Sequence, residues 1–97
     1  MPYIKQTYRA ALDPTIKNII DEVLRLEDAQ PGIMAGNLNY IFSCILDRLY
    51  RPLNYAKINE VMGLLTCIQH EYYHRVARPY EEFKMNTEGD VFYNQQY

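Results

Sequence analysis

Apolar residues recur along the chain at intervals of three and four, which is the spacing of one face of an α-helix. The first such stretch follows Asp13-Pro14, an N-cap residue with a proline at the first helical position, and ends before Pro31-Gly32. Its stripe consists of Ile16, Ile19, Ile20, Val23 and Leu24. The pattern predicts a helix over residues 14–29.

Two further stretches have the same periodicity. The second consists of Leu38, Ile41, Phe42, Ile45, Leu46 and Leu49 and stops before Pro52. The third begins near Asn54 and consists of Ile58, Val61, Met62, Leu65, Ile68, Tyr72 and Val76. Pro79 forbids an unkinked continuation of that helix. The patterns predict helices over about 37–50 and 55–78, followed by a tail over 79–97.

No strand alternation in the chain is long enough to build a sheet, so the predicted fold class is all-α. The chain has 97 residues, of which 48% are hydrophobic and 23% charged, a balance that favours a packed fold over disorder. At this length there is room for one domain with a modest core. We therefore expect one compact three-helix domain over residues 1–97, with a kinked C-terminal extension and ordered or docking tails.

The chain has ten tyrosines and no tryptophan. Tyr3, Tyr8, Tyr93 and Tyr97 lie in the two terminal segments, and rings with a polar tip are enriched at protein interfaces. These tyrosines either fold back over the core of their own chain or pack against another copy. The sequence does not decide between the two.

Net charge, hydropathy and cysteine use limit the function classes. A formal charge of −2 gives no field that would attract nucleic acid in bulk, and no apolar run approaches the roughly 18 residues that span a bilayer. We expect a soluble, cytoplasmic protein without a membrane partner. Cys44 and Cys67 lie far apart in sequence and have no C-x-x-C partner, so we interpret them as free thiols.

The stretch His70-Glu71-Tyr72-Tyr73-His74 spells H-E-x-x-H, the zinc-binding helix of many metalloproteases. The spacing of four places both imidazoles on one helical face, but that face points roughly 160° away from the apolar stripe of the same helix. A zinc hydrolase also needs a third ligand, and the chain has no further histidine. His70 and His74 therefore stay candidate metal ligands of a less favoured hydrolase hypothesis.

Several short motifs together resemble a known family. They are Met1-Pro2-Tyr3-Ile4, Gly36-Asn37-Leu38-Asn39-Tyr40, Ile58-Asn59-Glu60 with Gly63, Glu71-Tyr72-Tyr73 with Arg75, Arg78-Pro79-Tyr80-Glu81, and Glu88-Gly89-Asp90-Val91. The chain is similar over nearly its whole length to short uncharacterised proteins of bacteria, archaea and phages. The pattern of that family does not require histidine at positions 70 or 74, so the resemblance argues against a protease. It implies no activity.

Arg75 and Arg78 lie close in sequence to several tyrosines, including Tyr80. Such a cluster could stack a base and clamp the phosphate of a small nucleotide. We favour the alternative that the arginines pair with Glu71, Glu81 and Glu82.

A second face of the third helix carries the small and polar residues Asn59, Gly63 and Thr66. Gly63 would allow close approach of another backbone, and small proteins supplement small cores by association. We therefore expect a non-enzymatic, homo-oligomeric binding module, with another protein as a further possible partner and no required cofactor. The zinc hydrolase and the nucleotide binder stay open as alternatives.

Overall fold

A computed structural model describes residues 2–92 of the chain. Four α-helices follow one another: α1 (Gln6–Ala29), α2 (Met34–Leu49), α3 (Tyr55–Tyr72) and α4 (Arg78–Glu88). A π-helical turn, Tyr73–Ala77, joins α3 to α4. The described residues contain no strand, so the predicted all-α class is confirmed.

Helix α1 begins at Gln6, well before the predicted start at Pro14. The carbonyl of Lys5 accepts the N–H groups of Tyr8 and Arg9, and the segment that follows is rich in good helix formers such as Ala10. Pro14 lies inside the helix, where it removes one backbone donor without ending the element. The interpretation of Asp13-Pro14 as a helix start is therefore wrong.

The chain divides into two units, Met1–Val61 and Met62–Tyr97, and the boundary falls inside α3. The first unit is built on a hairpin in which α1 contacts α2. Val23, 5% exposed, is the one buried side chain among residues 2–92. Half-buried apolar residues occur on both helices, among them Ile19, Leu26, Leu38 and Ile41.

The loop between α1 and α2 is held by a side chain of α1. The Glu27 carboxylate accepts the backbone N–H of Gly32 at 2.7 Å and that of Ile33 at 3.0 Å. Gly32 has a φ of 96°, a left-handed conformation that favours glycine. These donated hydrogen bonds, that from Gly32 first, lower the pKa of Glu27 below its ordinary value of 4.5.

The connection from α2 to α3 is short and contains a cis Arg51–Pro52 peptide bond. Asn54 ends it, and its Oδ1 accepts the backbone N–H of Lys57 at 2.8 Å, which is the geometry of a helix N-cap. The Tyr50 hydroxyl donates to the Glu60 carboxylate, and this bond raises the pKa of Tyr50. The predicted start of the third helix near Asn54 is confirmed.

The second unit consists of the C-terminal part of α3, the π-helical turn and α4. The N–H of Arg78 donates to the carbonyl of Tyr73, five residues earlier, so the wide turn lies directly before Pro79. Helix α4 ends where Gly89, with a φ of 91°, donates its N–H to the carbonyl of Met85. The predicted kinked extension is confirmed, and its helix runs on to Glu88.

Candidate interaction surface

A compact three-helix domain would bury the apolar stripe of the third helix in its core, and the structure shows that this is wrong for the single chain. Six of the seven stripe residues are between 42% and 64% exposed: Ile58, Met62, Leu65, Ile68, Tyr72 and Val76. The seventh, Val61, is half-buried, and the other half-buried positions of α3, Lys57, Leu64 and Glu71, lie about a quarter of a turn around the helix. The stripe was inferred from apolar periodicity, which does not say what covers an apolar face.

Large apolar side chains continue along the exposed surface beyond the π-helical turn. Tyr80 and Phe83 of α4 are 61% and 60% exposed. Tyr73, within the turn, is exposed as well. The second unit therefore presents an apolar surface over its whole helical length.

The hairpin also leaves part of its apolar face uncovered. Leu12, Ile16, Ile20 and Leu24 form a row at intervals of four along α1, and each is about half exposed, between 48% and 51%. Helix α1 has 24 residues and α2 has 16, so α1 is longer by roughly 12 Å. The N-terminal part of α1, including Tyr8, therefore extends past its partner helix.

On the small and polar face of α3, no described residue comes close to Gly63. Asn59, Gly63 and Thr66 are exposed, and a Cβ placed on Gly63 would meet no atom within 4 Å. The Thr66 hydroxyl donates to the carbonyl of Met62 at 2.9 Å, within its own helix. The interface role of this face stays a prediction.

His70 and His74 are both exposed, and they lie in different kinds of helix because His74 belongs to the π-helical turn. Within residues 2–92 there is no group of three or more His, Cys, Asp or Glu side chains arranged to hold a metal ion. His70 lines a shallow depression of about 480 Å³ on the surface of the second unit, together with Ile68, Gln69, Tyr72, Tyr73 and Ala77. His74 does not line it.

The arginine and tyrosine cluster is only partly brought together. Arg78 donates from Nε to Glu82 Oε1 at 3.3 Å, so one of the favoured arginine–carboxylate pairs is present. Arg78 and Tyr80 line a groove of about 460 Å³ along α4 that also includes Met85 and Phe92, whereas Arg75 does not line it. The small-nucleotide clamp made by both arginines stays a prediction.

Both cysteines are free thiols, as predicted; Cys44 is half-buried and Cys67 exposed. Tyr3 and Tyr8 are exposed, while Tyr93 and Tyr97 lie outside the described residues.

Sequence reasoning missed the role of Glu27 as the acceptor that orders the α1–α2 loop. Its signal was an acidic residue placed five positions before Gly32.

None of the described helices combines the length and the apolar character needed to cross a bilayer.

Residues 1–91 match the model of the family described as Domain of unknown function (DUF6899). The match covers nearly the whole chain, so the chain belongs to this family, in agreement with the resemblance of its short motifs. No curated protein and no solved structure matches the chain.

Proposed function

We propose that this member of the DUF6899 family is a homo-oligomeric interaction module, which works by binding rather than by catalysis. The observation that carries the proposal is the exposure of the apolar side chains. Val23 alone is buried among residues 2–92, while large apolar side chains of α1, α3 and α4, such as Ile20, Ile68 and Phe83, are 51% to 60% exposed. An exposed apolar surface of this extent is typical of a chain that completes its core against a partner.

The size of the two units supports it independently. Within its described residues, 62–92, the second unit is helical as far as Glu88 and is interrupted by the π-helical turn, and segments of this size usually need a disulfide, a metal or a packing partner to stay folded. Its one cysteine, Cys67, is free. Association with another copy is a common route to a stable core for such a segment.

Sedimentation velocity and multi-angle light scattering of the tag-free protein between 1 and 100 μM test the proposal. We expect a single species whose mass is a multiple of 11.5 kDa. The same samples in guanidinium should give the mass of one chain. A monodisperse monomer with a helical circular dichroism spectrum across this range would contradict the proposal.

The proposal includes a cytoplasmic location and a link to phages. Its support is the lack of an apolar run long enough to span a bilayer and, for the phage link, the resemblance described above. Fractionation of cells that express the untagged protein at its natural level checks the location. Recovery in the membrane or periplasmic fraction would contradict it.

A further inference from the structure

Six of the exposed apolar residues of the second unit follow one another at intervals of three and four. We call these residues the C-terminal seam: Leu65, Ile68, Tyr72, Val76, Tyr80 and Phe83. Within α3 the intervals are three and four, and from Val76 onward they are four and three. Alternation of three and four is the heptad pattern of a helix that packs against another helix.

For heptad packing, which advances 3.5 residues per turn, the π-helical turn brings the two halves of the seam into phase. After Tyr72 a regular heptad would place the next seam position at residue 75, which is Arg75. A π-helical turn holds one residue more than an α-helical turn, so Val76 takes the angular place that residue 75 would otherwise have. Tyr80 and Phe83 then follow in register across Pro79. The turn therefore accommodates the proline and extends the seam onto α4.

We propose that the C-terminal seam packs antiparallel against the same seam of a second copy of this chain. The inference rests on the homo-oligomer proposed above and assigns its contact surface and orientation. In this arrangement Leu65 of one copy faces Phe83 of the other, and Ile68 faces Tyr80. At the two-fold axis Tyr72 faces Val76.

Side-chain volume favours the antiparallel orientation. Each layer of the antiparallel seam holds one aliphatic and one aromatic side chain, so the layers have similar volumes and fill evenly. In a parallel seam each residue would face the same residue of the other copy. Tyr72, Tyr80 and Phe83 would then form layers of two aromatic rings, whereas Val76 would form a layer of two small side chains. Such unequal layers pack poorly, because interiors tolerate neither voids nor overpacking.

Charge and area are compatible with this contact. The positions that flank the centre of the seam, Gln69, Glu71, Ala77 and Pro79, include a single charged residue, and the antiparallel register sets Glu71 nearest to Pro79. The three seam aromatics are each about 60% exposed, which leaves roughly 90 to 150 Å² of each ring to bury. They alone supply about a third to a half of the area that one partner buries in a standard interface.

Disulfide trapping tests the orientation. Cys44→Ser and Cys67→Ser give a cysteine-free background, into which Leu65→Cys and Phe83→Cys are introduced separately. The two variants are unfolded together, refolded and oxidised. We expect the mixed 65–83 disulfide as the main product, since residues facing each other in one layer are close enough to bridge.

The other products overturn the proposal. A disulfide that joins two Leu65→Cys chains through residue 65 indicates a parallel seam. If no disulfide forms although the refolded mixture sediments as an oligomer, the contact surface lies elsewhere on the chain. A refolded wild-type protein that sediments as a monomer instead contradicts the homo-oligomer itself, so failure of the seam and failure of the proposed function are distinguished.

Leu65→Glu and Thr66→Glu form a matched pair that tests the surface without cross-linking. The two positions lie on one helix and are neighbours, but residue 66 is rotated by roughly 120° from the centre of the seam. We expect Leu65→Glu to weaken association about a hundredfold and Thr66→Glu to leave the sedimentation profile unchanged. The reverse result would assign the interface to the face of Asn59, Gly63 and Thr66 and would overturn the seam.

Discussion

Glu27 connects a single residue to the geometry of the hairpin. Its carboxylate accepts two backbone N–H groups of the α1–α2 loop, from Gly32 and Ile33, and these bonds lower its pKa. A carboxylate with a lowered folded-state pKa stabilises the fold fully above its unfolded value, here 4.5. The contribution is lost as the pH falls through the lower folded value.

We therefore expect Glu27→Gln to remove part of the acid sensitivity of the protein. Wild type should lose thermal stability as the pH falls from 6 to 3, and the variant should be less stable at pH 6 and show a shallower loss. Thermal unfolding followed by circular dichroism at each pH measures this. Glu81→Gln is the charge-matched control and should follow wild type. A variant curve that runs parallel to that of wild type down to pH 3 would contradict the role of Glu27.

At the scale of helices, much of the structure follows from local signals in the sequence. Asn54 starts α3 as its cap, and the apolar stripe of α2 lies within the observed helix. The start of α1 could not be predicted from Pro14, because a proline pre-organised for the first turn of a helix is also tolerated inside one when enough surrounding bonds hold. The π-helical turn has no local signature other than Pro79, since it depends on where the extra residue is accommodated.

A single substitution should remove the π-helical turn. Pro79→Ala restores a backbone N–H that can bond to the carbonyl of Arg75, so we expect a regular α-helix to replace the π-helical turn. Val76, Tyr80 and Phe83 would then rotate by roughly 100° relative to Leu65 and Ile68. Helicity should rise slightly while association weakens at least tenfold.

Circular dichroism and sedimentation equilibrium measure these two effects. Pro14→Ala is the matched control, because it also removes a proline from a helix interior and lies on the polar side of α1. It should stabilise α1 by up to about 3 kcal/mol without weakening association. Unchanged association of Pro79→Ala would indicate that the seam does not need the wide turn.

Whether an apolar stripe is buried or exposed depends on the whole molecule. The periodicity of the third helix predicted an apolar stripe that runs from Ile58 to Val76. It did not predict that the face stays exposed, since helical spacing is the same whether a stripe packs within one chain or between two. The roles of His70, His74 and the Asn59 face stay predictions for the same reason: a side chain at an interface is completed by groups that one sequence does not place.

A protein whose core is completed by its own copies has a stability that depends on concentration. We expect the thermal midpoint to rise by several degrees between 1 and 100 μM, because each tenfold increase in concentration favours an associated dimer by about 1.4 kcal/mol. Calorimetry across this range measures it. Leu65→Glu should show a lower midpoint with little dependence on concentration. A constant wild-type midpoint would indicate that folding and association are separate.

Among residues 2–92 only the side chain of Val23 is buried, and this bears on how sequence variation in the family should be interpreted. In most small domains, tolerance to substitution falls as a side chain becomes less accessible in the single chain. Here we expect a different result from a saturation scan in which each variant is scored by its abundance in cells. The positions least tolerant of a charged residue should be mostly ones that are exposed to solvent in the single chain, and the neighbours of Val23 should form a smaller group. Accessibility in one chain would then misjudge which replacements are harmful.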